Sequence, residues 1–149
     1  MLIRAYNHEH DEASALDVFD RAFPAAHPFL GQLEEFESAR KIIEVQLPVR
    51  TVYLAEDGHG VIGFIIIDKE GYIPALYVLP TKYNKGAGSA LLASVQELSQ
   101  RLTLHVFEDN SPAVGFYRSK GFRIVDEDRA VDGLGRGHYR LKMVRTRRS

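Results

Sequence analysis

Leu76-Tyr77-Val78-Leu79-Pro80-Thr81-Lys82-Tyr83-Asn84-Lys85-Gly86-Ala87-Gly88-Ser89-Ala90-Leu91-Leu92 carries an apolar strand into a glycine-containing loop and straight on into a helix. The first turn of such a helix presents unpaired N–H groups and the positive end of its dipole, which together make an anion site. Gly86 and Gly88 would let the backbone approach a phosphate with no Cβ in the way. No Gly-Lys-Ser/Thr follows, which excludes a Walker loop, and Leu91 stands where a dinucleotide fingerprint needs its third glycine. The other reading of the same stretch is a plain strand-to-helix turn.

Charge favours the anion site. No acid occurs from Gly71 to Gln96, where Lys82 and Lys85 flank the loop, nor from Asn110 to Val125, which holds Arg118, Lys120 and Arg123. Two acid-free basic windows in a chain of net charge −1 imply a local positive potential. The acids gather in Glu9 to Asp20, Glu34 to Glu37 and Asp126 to Asp128. Chance clustering on solvated faces is the competing account.

The remaining composition bounds the answer. With 149 residues, 45% hydrophobic and 26% charged, the sequence predicts one globular domain spanning 1–149. Nineteen basic against twenty acidic residues give no global field to recruit nucleic acid or a membrane surface. Cysteine is absent, which removes disulfides, thiolate metal sites and a Cys nucleophile together and suits a cytoplasmic protein. No apolar run reaches the ~18 residues of a spanning helix, and the start, Met1 to Tyr6, does not read as a signal peptide. His8 and His10 lack the i, i+4 spacing of zinc ligands, so no metal is expected.

Working outward, Leu2 to Asn7 reads as a strand and Asp11 to Phe23 as a helix with Leu16, Phe19 and Phe23 on one face. Pro24 and Pro28 predict a loop from Pro24 to Leu30. Leu33, Phe36, Ile43 and Leu47 mark a second amphipathic helix, stopped by Pro48. Thr51 to Ala55 is a strand, Asp57-Gly58-His59-Gly60 a hairpin turn, and Val61 to Ile67 an apolar run that fits a strand covered on both faces. Tyr72 to Leu79 follows as a strand in which Pro74 signals a bulge or early end to pairing. Gly86 to Arg101 is expected as a helix, with Leu91, Val95, Leu98 and Leu102 as its stripe. Leu102 to Phe107 is a strand. Asn110-Ser111-Pro112 opens the next helix with a capping side chain and an early proline, and Gly121 closes it. Phe122 to Asp128 and His138 to Val144 are the last strands. They leave an edge through which two copies could pair as a homodimer. The order β-α-α-β-β-β-α-β-α-β-β predicts an α+β fold, a mixed sheet of about seven strands flanked by about four helices.

A second stretch sharpens the first. Leu104-His105-Val106-Phe107-Glu108-Asp109-Asn110-Ser111-Pro112-Ala113-Val114-Gly115-Phe116-Tyr117-Arg118-Ser119-Lys120-Gly121-Phe122 resembles the N-x-x-A-x-x-F-Y-x-x-x-G-F motif of the GNAT superfamily of N-acetyltransferases. Asn110, Ala113, Phe116, Tyr117, Gly121 and Phe122 match it at every spacing, while Gly86 and Gly88 match that superfamily's Q/R-x-x-G-x-G/A loop. The element order is the superfamily's order over nearly the whole chain. Asp132 to Tyr139 and Ala26-His27-Pro28-Phe29-Leu30 look like its small stand-alone bacterial members. One position departs: the Gln/Arg place, three before the first glycine, is Tyr83, so a phenol replaces a side chain that often supports the pyrophosphate.

The resemblance implies an acetyl-CoA-dependent N-acetyltransferase. Together with the charge pattern it assigns the cosubstrate to Leu76, Tyr77, Val78, Lys82, Tyr83, Asn84, Lys85, Gly86, Ala87, Gly88, Ser89, Asn110 and Lys120. It implies an amide from a bulge in the fourth strand, near Tyr77 and Val78, aimed at the carbonyl oxygen, and Tyr117 as the acid that protonates the leaving thiolate. His27 and Phe29 fall where the superfamily places its acceptor, and the acidic first two helices are expected to line that groove. Without a cysteine or a nucleophilic serine motif, transfer is expected to be direct, in a ternary complex. The acceptor would be an amine-bearing small molecule, a protein lysine or an N-terminus. Glu108 and Asp109 are candidate bases that also read as solvated. The five basic residues from Arg140 to Arg148 read as a solubilising terminus. A non-catalytic acyl-CoA-binding regulatory module is the rival reading.

Overall fold

The computed structural model describes residues 1–31 and 33–147; Arg148, the last arginine of the basic tail, lies outside them. The elements are β1 (Leu2–Ala5), α1 (His8–Ala26), α2 (Leu33–Gln46), β2 (Thr51–Asp57), β3 (Gly60–Ile67), β4 (Ala75–Val78), α3 (Ala87–Val95), β5 (Arg101–Phe107), α4 (Ser111–Ser119), β6 (Arg123–Val131) and β7 (Gly137–Thr146), with a short 3-10 turn at Pro80–Lys82. This is the expected order. The strands form two antiparallel sheets, β1-β2-β3-β4 and β5-β7-β6, which meet at a single parallel bridge between Tyr72 and Thr103. Beyond that bridge β4 and β5 diverge, and a gap opens between the sheets.

β3 holds the layers together because it is apolar on both faces. Ile65 and Ile67 face α3 and α4 with Leu91, Leu92, Val95 and Met143, whereas Phe64 and Ile66 face α1 and α2 with Phe19, Ile43 and Leu47. Side chains of this size stabilise by roughly 1.5–3 kcal/mol each when fully buried. With no cysteine in the chain, these two clusters form its core without disulfides.

Four expectations are corrected. Helix α1 starts at His8, because Asn7 caps it by accepting from the His10 N–H and Asp11 reaches back to the Asn7 N–H. It also runs through Pro24 to Ala26 rather than breaking there. Pro24 forfeits one bond near the helix end, while Phe19 and Phe23 beside it pack on Phe36 and Tyr77, so tertiary contact outweighs the local rule. Helix α3 stops at Val95, well short of Arg101; Leu98 points outward at 52% exposure and Leu102 belongs to β5. Finally, the irregularity of the fourth strand sits at Ile73–Pro74, not at Tyr77 and Val78. The β3–β4 register is unbroken from Ala75 to Val78, but Asp68 N–H bonds the Tyr72 carbonyl one residue out of that register, and Ile73 N–H turns to the Thr103 carbonyl.

Candidate active site

The divergence of β4 and β5 creates a cavity of about 700 Å³ that reaches from the start of α3 to the C-terminal end of α1. Strand alternation sets its central wall. Leu79 N–H bonds the Ile62 carbonyl and Tyr77 faces Phe64 in the same phase, so the amides of Leu76 and Val78 point away from β3 into the gap. No strand meets them there.

At one end lies the glycine loop. Gly86 is the N-cap of α3 at φ +86°, Asn84 is left-handed at φ +63°, and no side chain caps the helix. The first intrahelical bond runs from Ala90 N–H to the Gly86 carbonyl, which leaves the amides of Ala87, Gly88 and Ser89 free for an anion. A Cβ on Gly88 would stand 3.4 Å from the Phe116 ring, so α3 and α4 approach closely here. Tyr83 and Asn84 line the same end, and Tyr83 is 45% exposed. Asn110 caps α4 by accepting from the Ala113 N–H, and its amide nitrogen keeps no partner among the described residues.

The cations are arranged differently from expectation. Lys82 lines the cavity, but its ammonium lies 2.9 Å from Asp57, and that bond holds the Asp57 carboxyl below its ordinary range. Lys120 sits over the Phe116 ring, 5.7 Å from its centroid, on the outside of the cavity wall. Lys85 is exposed beside the loop.

Between these ends, Tyr77 of β4 and Tyr117 of α4 both line the cavity. Burial pushes both phenols well above their ordinary value, and the nearby Tyr117 raises Tyr77 further, so both stay protonated. The Tyr117 ring is fixed edge-on against Phe116 and Phe122 at 5.3 and 5.5 Å. Its hydroxyl has no hydrogen-bond partner among the described residues and is not sealed from the cavity. The family resemblance implies a role for the Tyr77 backbone alone; the structure adds its phenol to the cavity wall.

The far end is aromatic. His27 donates from Nδ1 to the Phe23 carbonyl at 2.9 Å, and burial lowers its pKa, so it is neutral with Nε2 unpartnered among the described residues. Its ring lies tilted with its centroid 4.3 Å from that of Phe23 and meets Phe107 edge-on at 5.7 Å. Phe29 supports this wall from behind, against Phe107 and His138, rather than lining the cavity.

The described carboxylates of α1 and α2 do not form the expected acidic groove. Asp11 is buried in a bidentate bond with Arg4, Asp20 and Glu44 hold Arg40, Asp17 holds Arg21, and Glu35 accepts from the Gly133 N–H. None of the carboxylates of α1 and α2 lines the cavity. Among the described residues the one carboxylate that does is Asp109. Its partner His138 and the buried Asp132 were missed, although the turn Asp132-Gly133-Leu134-Gly135 that carries one of them stands out in the sequence. No group of three or more potential metal ligands, and no helix long and apolar enough to cross a membrane, occurs among the described residues.

Residues 48–124 match the family model described as Acetyltransferase (GNAT) domain. Peptidyl-lysine N-acetyltransferase YjaB of Salmonella typhimurium is 29% identical over 146 residues, covering 97% of this chain and 99% of that protein. Peptidyl-lysine N-acetyltransferase YiaC of Escherichia coli is 38% identical over 86 residues, which span 52% of this chain and 58% of that one. The solution structure of apo-form YjaB from Escherichia coli superposes with a TM-score of 0.79 at 26% identity, covering 99% of this chain and 98% of that one. The matched family model takes in β4, the glycine loop, α3, β5 and α4, which supply most of the cavity wall, and the chain therefore belongs to the GNAT family of N-acetyltransferases, among its YjaB-like members.

Proposed function

We propose that this protein moves an acetyl group from acetyl-CoA to a lysine side chain by direct attack within a ternary complex. One continuous cavity carries the reading: anion-binding amides at one end, two unpartnered phenols and two unpaired strand amides at its centre, and an aromatic mouth at the other end. The free amides of Ala87, Gly88 and Ser89 suit a pyrophosphate, and the acid-free lining of that end agrees. The relatives YjaB and YiaC are peptidyl-lysine N-acetyltransferases, which favours a lysine acceptor.

The chemistry asks three things of the chain. A lysine ammonium of pKa ~10.4 costs about 4.6 kcal/mol to deprotonate at pH 7, so the acceptor must shed its proton before attack. Negative charge then grows on the thioester oxygen, and the Leu76 and Val78 amides are the donors that the gap leaves free for it. As the new N–C bond forms and the C–S bond breaks, the departing thiolate takes a proton from Tyr117, which burial has kept protonated, and the acylated nitrogen loses its remaining excess proton to solvent, from which the phenol is restored. With no cysteine in the chain, no acyl-thiol intermediate on the protein is needed.

The test is acetyl-CoA with a panel of lysine peptides, small amines and protein N-termini, followed by CoA release and by product mass. A gain of one acetyl on the lysine side chain is the expected result. Tight acetyl-CoA binding with no transfer to any amine would instead indicate a non-catalytic acyl-CoA-binding module.

A further inference from the structure

Building on that acetyltransferase reading, we infer that Asp109 is the acceptor-binding carboxylate, selecting a cationic amine, and that His138 and Asp132 hold it in place. Asp109 lies between β5 and the cap of α4, on the cavity wall next to Phe107. Its Oδ2 is 3.1 Å from His138 Nδ1, and His138 Nε2 is 2.7 Å from Asp132 Oδ2. Carboxylates only accept, so both ring nitrogens must donate, and the imidazole is a cation held between two anions. Asp132 is fixed in turn by the Leu134 and Arg136 amides and by the Arg136 guanidinium, and its side chain is wholly buried.

Asp132 is shared between the His138 imidazolium and the Arg136 guanidinium, so Asp109 completes the charge balance of the cluster and is oriented by it. Only one of its oxygens is used for this: Asp109 is 49% exposed, and its Oδ1 has no partner among the described residues. That free oxygen stands at a mouth walled by the rings of His27 and Phe107. Rings that accept an aliphatic stem beside a carboxylate that accepts an ammonium match a lysine side chain. The carboxylates of α1 and α2 are engaged elsewhere, so acceptor charge is read by this one group. The acceptor arrives as the ammonium, and its proton passes to solvent at the half-exposed mouth. The free amine then attacks the thioester carbonyl, the C–S bond breaks as the thiolate takes the Tyr117 proton, and the nitrogen sheds its second proton to solvent, from which the Tyr117 phenol is restored.

The experiment uses a blocked peptide, acetylated at its N-terminus and amidated at its C-terminus, whose only cation is one lysine. An identical peptide with norleucine in place of that lysine is the uncharged control. Both are titrated calorimetrically into CoA-saturated wild type, Asp109→Asn and Asp109→Glu. Asparagine can still accept from His138, so the variant keeps its fold, which a thermal melt verifies. The wild type should prefer lysine over norleucine by about tenfold or more. Asp109→Asn should lose that preference, Asp109→Glu should restore part of it, and CoA affinity should be equal in all three. A preference that survives in Asp109→Asn, or that the wild type lacks, overturns the assignment. Failure of CoA to bind at all would count against the acetyltransferase reading alone, because the same two peptides titrated without CoA still decide the role of Asp109.

Discussion

Replacing Tyr117 with phenylalanine separates packing from chemistry more cleanly than any other change in this cavity. The ring lies in the core cluster with Leu91, Leu104 and Phe122, and phenylalanine keeps all of those contacts. The hydroxyl bonds to no protein group among the described residues, so its removal breaks no intramolecular hydrogen bond. Stability should therefore change by less than about 0.5 kcal/mol, a shift in Tm of roughly 2 °C at most. Turnover should respond very differently. General-acid help is worth about 10²–10⁴ in rate, or roughly 2.7–5.4 kcal/mol of barrier. Because burial raises the phenol pKa, its proton remains available through neutral and mildly alkaline pH, and no loss of activity from its ionisation should appear below about pH 10. The assay is CoA release with a lysine peptide at saturating acetyl-CoA, repeated with an acetyl thioester whose thiol has a lower pKa. A better leaving group needs less protonation, so the penalty of Tyr117→Phe should shrink with it. Unchanged turnover, or an equal loss with both donors, would show that Tyr117 only packs.

Gly88→Val would press a branched side chain toward Phe116, 3.4 Å from the new Cβ, and across the free amides of α3; acetyl-CoA affinity measured by calorimetry should fall at least tenfold in a protein that still melts cooperatively. Asp57→Asn releases Lys82 from its 2.9 Å pair and should tighten acetyl-CoA binding severalfold in low salt, a gain that vanishes near 1 M salt, where screening acts within about 3 Å; no gain at low salt would mean that Lys82 does not reach the phosphates. The Asp132–His138 pair should make stability depend on pH at both ends. His138, raised chiefly by its bond to Asp132, contributes fully below its ordinary value of about 6.5 and loses that contribution as pH rises through its raised value. Asp132, lowered chiefly by the same bond, contributes above its ordinary value of about 3.9 and loses that as pH falls through its lowered value. Urea melts of wild type and His138→Gln should differ most between those limits and converge at alkaline pH.

What could be read from the sequence was what short-range chemistry decides. Asn110 caps an amide three residues on, and the strand-glycine-helix order of the loop around Gly86 is contiguous; the β3 run, apolar throughout, demands cover on both faces whichever distant residues supply it. Pro24 shows the limit. Its effect on a helix is local, but the stacking of Phe19 and Phe23 against Phe36 and Tyr77 is not, and the second decided where α1 ends. The acids failed for a related reason. A cluster of carboxylates in sequence says nothing about where arginines stand, and Arg4 and Arg40 claimed Asp11 and Asp20. His138 finds Asp109 across 29 positions, a separation at which no spacing rule operates.

The fourth strand joins these threads. A strand inside a protein is normally paired along both edges, because a buried amide without a partner costs on the order of 1–3 kcal/mol. β4 is paired with β3 along one edge only. Its other edge touches β5 through the bridge at Tyr72 and Thr103, and the misregister at Ile73–Pro74 then turns the chain so that the ladder does not continue. Had it continued, the amides of Leu76 and Val78 would be spent on β5, the two sheets would fuse, and the cavity would close. The irregularity that looks like a defect beside Pro74 is thus what keeps two donors unpaired on a wall of the cavity that Tyr77 and Tyr117 also line. Restoring regular pairing would satisfy those amides and remove the backbone donors that the proposed mechanism directs at a developing oxyanion. On that mechanism stability and activity are opposed at this strand, and a proline stands one residue before the strand begins, where the pairing changes.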